Sequence, residues 1–195
     1  MSTFHFKQFS VKNEKSAMKV NTDSVLLGAW AEIPNASKTG LDIGSGTGIL
    51  ALMMAQKYPN LEITGVEIEK NAFEESGFNF KNSPYRERLQ AVNLPLQQLS
   101  PELKFDCIIT NPPYFDNDLK SEDENKKTAR HTDSLTFLEL IQFVENNLSS
   151  IGNFSLILPL VESELFRKIT EKTTLHLTKI AFIKPNNNKE VNRVL

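Results

Sequence analysis

Leu41-Asp42-Ile43-Gly44-Ser45-Gly46-Thr47-Gly48 decides the fold. It joins a short apolar run, residues 39–43, to residues 49–57, which are good helix formers throughout and stop at Tyr58-Pro59-Asn60. Outward from it the pattern keeps alternating. Residues 61–66 read as a second strand and residues 70–81 as a helix, broken by Asn82-Ser83-Pro84. Residues 89–92 are a weak third strand, and residues 105–109 a fourth, halted by Asn111-Pro112-Pro113. A helix over 134–148 carries apolar Leu135, Leu138, Ile141 and Leu148. A fifth strand over 153–158, a helix over 161–171 and a final strand over 175–183 complete the chain. Alternating strands and helices with short links predict an α/β fold with a central, mostly parallel sheet and helices on both faces. Ligands of such sheets bind outside the carboxyl ends of the strands, where the motifs of this chain fall.

The glycines turn the backbone tightly and let a ligand lie against it. A dinucleotide fingerprint, G-x-G-x-x-G, would need glycine at position 49, where Ile49 stands. Asp42, two residues before the first glycine, would repel a pyrophosphate but welcome a cationic or amino-bearing ligand. Glu67 follows the second strand, 19 residues past Gly48, and a carboxylate there can accept from both hydroxyls of a ribose. This combination resembles the class I methyltransferases that bind S-adenosyl-L-methionine, a ligand with a sulfonium, an amino group and a ribose but no phosphate. The resemblance implies a Rossmann-like fold in which Gly44, Gly46 and Gly48 shape the pocket and Glu67 holds the ribose.

Asn111-Pro112-Pro113-Tyr114 directly follows the fourth strand. Two prolines make a stiff, extended turn. Asn111 offers a side-chain acceptor, Pro112 a backbone acceptor and Tyr114 a flat ring, parts that suit a planar amine. Such an amine is a poor nucleophile, because its lone pair is delocalised. Two acceptors fixed around its hydrogens favour a pyramidal nitrogen and stabilise the charge that grows as it attacks a methyl group. The tetrapeptide resembles the catalytic motif of methyltransferases acting on planar nitrogens: adenine N6, cytosine N4, guanine N2 and the amide of glutamine.

Residues 4–11 and 17–30 narrow the choice, because they look like the opening of the bacterial valine-tRNA adenine-N6 methyltransferase family, and Ala129-Arg130-His131 fits as well. That resemblance covers nearly the whole chain and implies a tRNA substrate methylated on the adenine beside the anticodon. It implies that Lys19, Thr22 and Asp23 border the cofactor pocket, that Asn111 to Tyr114 are catalytic, and that basic ends, Lys7 and Lys12 among them with Arg130 and His131, hold the tRNA. Two departures stand out. Where relatives carry an acidic residue near the cofactor adenine, this chain has Asn93-Leu94-Pro95, so the Asn93 side chain or a backbone amide near Leu94 is left to read the adenine. The chain also ends in Arg193-Val194-Leu195, which reads as the beginning of a strand that relatives continue, so a truncated sheet end is expected.

The 195 residues are expected to form a single methyltransferase domain, with residues 1–38 flanking substrate and cofactor. Residues 116–130 mix five acids with four bases and few apolar groups, as expected of a mobile lid. Hydrophobic residues are 39% and charged ones 24%, a globular balance. With 22 basic and 24 acidic residues the net charge is −2, which excludes a uniformly basic coat and leaves RNA contact to local clusters. Such clusters occur at the ends, in Lys7, Lys12, Lys15 and Lys19 and again from Arg167 to Arg193. Phe4, Phe6 and Phe9 are expected to pack on the core rather than stack on bases, and Trp30 to lie in the core. A single cysteine, Cys107, excludes an internal disulfide, and His5, His131 and His176 lack metal-ligand spacing. No signal-peptide core or membrane-length apolar run is present, so a cytoplasmic, metal-free monomer is expected. Rival readings are a protein-glutamine methyltransferase, for whose N-terminal helical domain residues 1–38 leave no space, a DNA amino-methyltransferase, which lacks its target-recognition region here, and a non-catalytic RNA-binding protein of the same fold.

Overall fold

The computed structural model describes residues 2–112 and 135–195. The expected lid, residues 116–130, lies outside them. The chain opens with a hairpin, β1 (Thr3–His5) and β2 (Ser10–Lys12), then α1 (Thr22–Trp30). The glycine stretch joins β3 (Thr39–Ile43) to α2 (Ile49–Lys57) as its sequence predicts. β4 (Glu62–Glu67), α3 (Lys70–Lys81), β5 (Leu89–Asn93) and β6 (Phe105–Thr110) follow. The second half holds α4 (Phe137–Asn147), β7 (Leu148–Leu156), β8 (Leu158–Pro159), α5 (Leu160–Thr170), β9 (Phe182–Ile183) and β10 (Arg193–Val194).

Five strands pair in the order β5-β4-β3-β6-β7, all parallel. The chain runs outward from β3 to β5 and then returns to the other side of β3 as β6. That reversal between β3 and β6 is where a doubly wound sheet opens a crevice for ligands. Alternation along the strands divides the core in two. Leu41 and Ile43 of β3, Val66 of β4 and Ile108 of β6 face α4 and α5. Ile63, Cys107 and Ile109 face the opposite layer, which holds α1, α2 and the Phe80 end of α3. Burial on this second face pushes the Cys107 thiol up to about 12, so it packs as an inert apolar group. Arg88 finishes α2 from a distance, its guanidinium donating to the carbonyl oxygens of Ala55, Tyr58 and Leu61 at 2.7, 3.1 and 2.7 Å.

The second half departs from the sequence reading in three places. α4 starts at a capping box between Thr136 and Glu139, and buries Phe137, Leu140, Ile141 and Val144. Leu138, read as part of the apolar stripe, is 53% exposed. Leu148, read into the same helix, begins β7, where it pairs with Phe105; the register then shifts so that Asn153 faces Cys107. The final strand is only β9. Its partner β10 offers two residues, Arg193 opposite Ile183 and Val194 opposite Phe182, and the Ala181–Leu195 pair closes the ladder. Residues 175–180 lie beyond it and form no strand. The chain's last residues are a strand, as read, but an antiparallel one between β8 and β9.

At the other end Phe9 is buried, stacks on Phe6 with ring centroids 4.7 Å apart, and Phe6 meets Phe4 at 4.9 Å. Phe9 is thus a core residue, whereas Phe4 is 46% exposed. Trp30 is half-buried against the core with Lys179 over its ring. Among the described residues no helix is long and apolar enough to cross a membrane, and no metal-holding cluster of His, Cys, Asp or Glu is found.

Candidate active site

Strand register places the key residues in one row. Ile43 of β3 is level with Val66 of β4 and Thr110 of β6, and Glu67 is level with Asn93 of β5. The next residues outward, Gly44 and Asn111, therefore leave the sheet beside Glu67 and Asn93 at its carboxyl edge. Two strand spacings, roughly 10 Å, separate the Glu67 position from the Asn111 position. The Thr110 hydroxyl, donating to the Ile43 carbonyl at 2.8 Å, fixes β6 against β3 immediately below.

Gly44, Gly46 and Gly48 have φ of +66°, +55° and +79°, the left-handed region that favours glycine. Their surroundings differ. A Cβ on Gly44 would meet nothing within 4 Å among the described residues. A Cβ on Gly48 would stand 2.4 Å from the Phe80 ring, so this glycine lets α3 pack against the loop. Gly46 lies between the two, beneath Ser16.

Glu67 is 9% exposed, and each of its carboxylate oxygens is already oriented. Oε2 accepts from Gly46 N–H at 2.9 Å and Oε1 from Glu69 N–H at 3.0 Å. A carboxylate oxygen takes two hydrogen bonds, so each keeps capacity for a hydroxyl. Asn93 donates from Nδ2 to the carbonyls of Glu67 and Ile68, which commits its nitrogen and leaves its oxygen as an acceptor. Leu94 is half-buried against the α4 face of the core. Asp42 sits beneath the loop, fully buried. Its Oδ2 accepts from Ala51 N–H at 3.1 Å and its Oδ1 has no partner among the described residues. Burial pushes this carboxyl up to about 8, against the Ala51 hydrogen bond and with help from the Glu67 charge.

A cavity at the glycine loop is lined by Met18, Lys19, Ser24, Gly44, Ser45, Gly46, Thr47, Ile49, Leu50 and Asn111. It brings together the loop, Lys19 and Asn111 from distant parts of the chain. Asn111 is 7% exposed and donates from Nδ2 to Ser24 Oγ at 2.9 Å. Pro112 ends the described segment, and Pro113, Tyr114, Arg130 and His131 lie outside the described residues. Thr22 is exposed at the start of α1 and is not among the residues that line the cavity. Asp23 is held by Arg193, whose Nε donates to Oδ2 at 2.8 Å. Lys7 is in the β1–β2 turn, and Lys12 Nζ is 3.2 Å from Glu14 and over the Phe78 ring.

The sequence reading missed the groups that hold residues 12–20 over the loop. Glu75, 2% exposed on α3, accepts from the N–H groups of Glu14 and Lys15 at Oε1 and of Ser16 at Oε2, at 2.6, 2.8 and 2.8 Å. Asn79, one turn later, accepts from Lys12 N–H and donates to Lys12 O and Thr47 O. The signal available in sequence was two polar residues four apart on the face of α3 that also carries buried Ala72 and Phe80.

With this geometry, the family model described as a methyltransferase small domain matches residues 15–152. A tRNA1(Val) (adenine(37)-N6)-methyltransferase of Pseudoalteromonas translucida (strain TAC 125) is 43% identical over 195 residues, 100% of this chain and 83% of that protein. This chain belongs to the tRNA1(Val) (adenine(37)-N6)-methyltransferase family. Another member, from Aliivibrio fischeri (strain MJ11), is 43% identical over 99% of this chain and 82% of its own. Solved structures agree on the methyltransferase fold at low identity. A predicted O-methyltransferase from Agrobacterium tumefaciens superposes with TM-score 0.67 at 18% identity, over 89% of this chain and 78% of that one. A geranyl diphosphate C-methyltransferase from Streptomyces coelicolor, in complex with S-adenosyl-L-homocysteine, gives 0.59 at 11% identity, over 82% and 61%.

Proposed function

We propose that this chain, acting as a single methyltransferase domain, transfers a methyl group from S-adenosyl-L-methionine to the exocyclic N6 of adenine 37 in a valine tRNA, the substrate named for its relatives. One observation carries the reading: Gly44 and Asn111 line one cavity, beside a Glu67 whose two oxygens are preset by backbone N–H groups.

The cofactor fits the residues present. No described residue crowds Gly44, Glu67 has acceptor capacity for two ribose hydroxyls, and the site offers a carboxylate rather than a phosphate cradle. Asn93 Oδ1 can accept from an adenine amine, with the Leu94 N–H as the donor for the neighbouring ring nitrogen. When bound, the cofactor supplies a methyl carbon made electrophilic by its sulfonium. Asn111 Oδ1 and the Pro112 carbonyl accept from the two hydrogens of the target amine, hold its lone pair toward that carbon and stabilise the positive charge that develops on nitrogen. Pro113 and Tyr114 lie outside the described residues; the motif's resemblance assigns the Tyr114 ring to the extruded base. As the carbon–nitrogen bond forms, the methyl–sulfur bond would break with its electron pair kept by sulfur as a neutral thioether, and the methylated nitrogen, now positively charged, would shed its proton to solvent, so no tuned general base is needed.

Replacing Asn111 with Ala tests the assignment. Methyl transfer to tRNA is expected to fall at least 100-fold, the scale of a lost transition-state acceptor, while tRNA still binds in a filter assay. Parental turnover by Asn111→Ala contradicts the role.

A further inference from the structure

We propose that Ser24, with Met18 beside it, is a positioning residue for methyl transfer, anchoring the Asn111 amide by its nitrogen so that its oxygen end faces the target amine. The inference rests on the reading of Asn111 as the acceptor for that amine. A half-turn of its last torsion exchanges the oxygen and nitrogen of an asparagine amide. Only one arrangement serves here. With Oδ1 toward the substrate the amide accepts; with Nδ2 there, one donor confronts another.

Two groups meet the nitrogen end. Ser24 Oγ accepts from Asn111 Nδ2 at 2.9 Å, and Met18 Sδ lies 3.6 Å from the same nitrogen. A serine hydroxyl could donate as well as accept, so by itself it would tolerate either arrangement. A thioether sulfur only accepts, so it breaks the tie in favour of nitrogen. Burial gives the choice weight. Ser24 is 4% exposed and Asn111 7%, so solvent is poorly placed to satisfy the wrong end. Ser24 itself is rigidly held. It lies in the first turn of α1, where its N–H donates to the side chain of Asn21, the N-cap, at 2.9 Å. α1 in turn packs along α2. Ser24 therefore acts through Asn111, and gives a flexible amide the fixed orientation that an acceptor of a planar amine requires.

Single-turnover methylation of tRNA at saturating cofactor tests this, alongside the calorimetric affinity for S-adenosyl-L-methionine and the Tm of each variant. Ser24→Ala is expected to slow transfer about tenfold, the scale of one lost buried hydrogen bond, with cofactor affinity within about threefold of the parent. Ser24→Cys, nearly the same size and keeping a weaker acceptor, is expected to fall between the two. A Ser24→Ala rate within about twofold of the parent overturns the proposal. So does a Ser24→Cys rate no better than Ser24→Ala, or a rate loss matched by an equal loss of cofactor affinity. Asn111→Ala run in parallel separates the two claims. If it turns over like the parent, the underlying reading fails; if it is inactive while Ser24→Ala is parental, only the positioning role fails.

Discussion

Glu67 shows how a single side chain is set in advance for the ribose proposed for it. Gly46 and Glu69 each give it one N–H, so the carboxylate is aimed before any hydroxyl arrives. Glu67→Ala is expected to weaken cofactor binding by about 1–3 kcal/mol, as charged hydrogen bonds are lost; calorimetry reporting unchanged affinity removes it from the site. The glycines separate in the same way. Gly48→Ala forces a Cβ against Phe80 at a left-handed position and is expected to cost about 2–4 kcal/mol of stability. Gly44→Ala meets no described neighbour, so it is expected to cost less stability and more cofactor affinity. Equal Tm losses in the two variants would contradict that division. Asp42 makes a pH-dependent claim. Its folded value of about 8 lies above the ordinary 3.8, so the fold favours the protonated acid. The stability it contributes is complete below 3.8 and is lost as pH rises toward 8. Asn cannot ionise, so the Tm advantage of Asp42→Asn is expected to grow from pH 4 to pH 8 and then level off. An advantage that does not change with pH would contradict the buried-acid account.

At the scale of elements, α3 does two jobs. Its Phe80 closes against the glycine loop, and its Glu75 and Asn79 hold the segment before α1 in place by backbone hydrogen bonds. Removing Glu75 leaves three N–H groups without their acceptor. Glu75→Ala is therefore expected to speed hydrogen exchange at Glu14, Lys15 and Ser16 and to weaken cofactor binding, because Met18 and Lys19 line the cavity. Unchanged exchange at those amides would show that the segment is held by something else. From β3 to β6 the elements were legible because each follows local rules: glycines end β3, Pro59 stops α2, and Asn82 to Pro84 stop α3, whereas β1, β2 and α1 were not read as elements. The second half was less so. Leu138 and Leu148 are apolar enough to read as one helix, but the buried stripe is carried by Phe137, Leu140, Ile141 and Val144, and Leu148 is claimed by pairing with β6. Residues 175–180 have strand-like composition, yet a strand is made by its partner, and no described strand pairs with them.

At the scale of the molecule, the sheet converts sequence order into a spatial row. Asn93, Glu67, Gly44 and Asn111 lie far apart in the chain and leave adjacent strands at one edge. Motif order made that row readable, since each residue follows a strand. The contacts across it were not readable, because Ser24, Met18 and Glu75 reach the site only through packing of α1 and α3. The basic ends show the same limit. Lys12, Lys15 and Arg193 each lie beside an acid, Glu14, Glu74 and Asp23, a pairing that the charge clusters of the sequence do not show. The most direct test of the row as a methyl-transfer site is nucleoside analysis of unmodified bulk tRNA after incubation with this protein and labelled S-adenosyl-L-methionine. The account predicts label in N6-methyladenosine; label in polypeptide, or in another nucleoside, would contradict it.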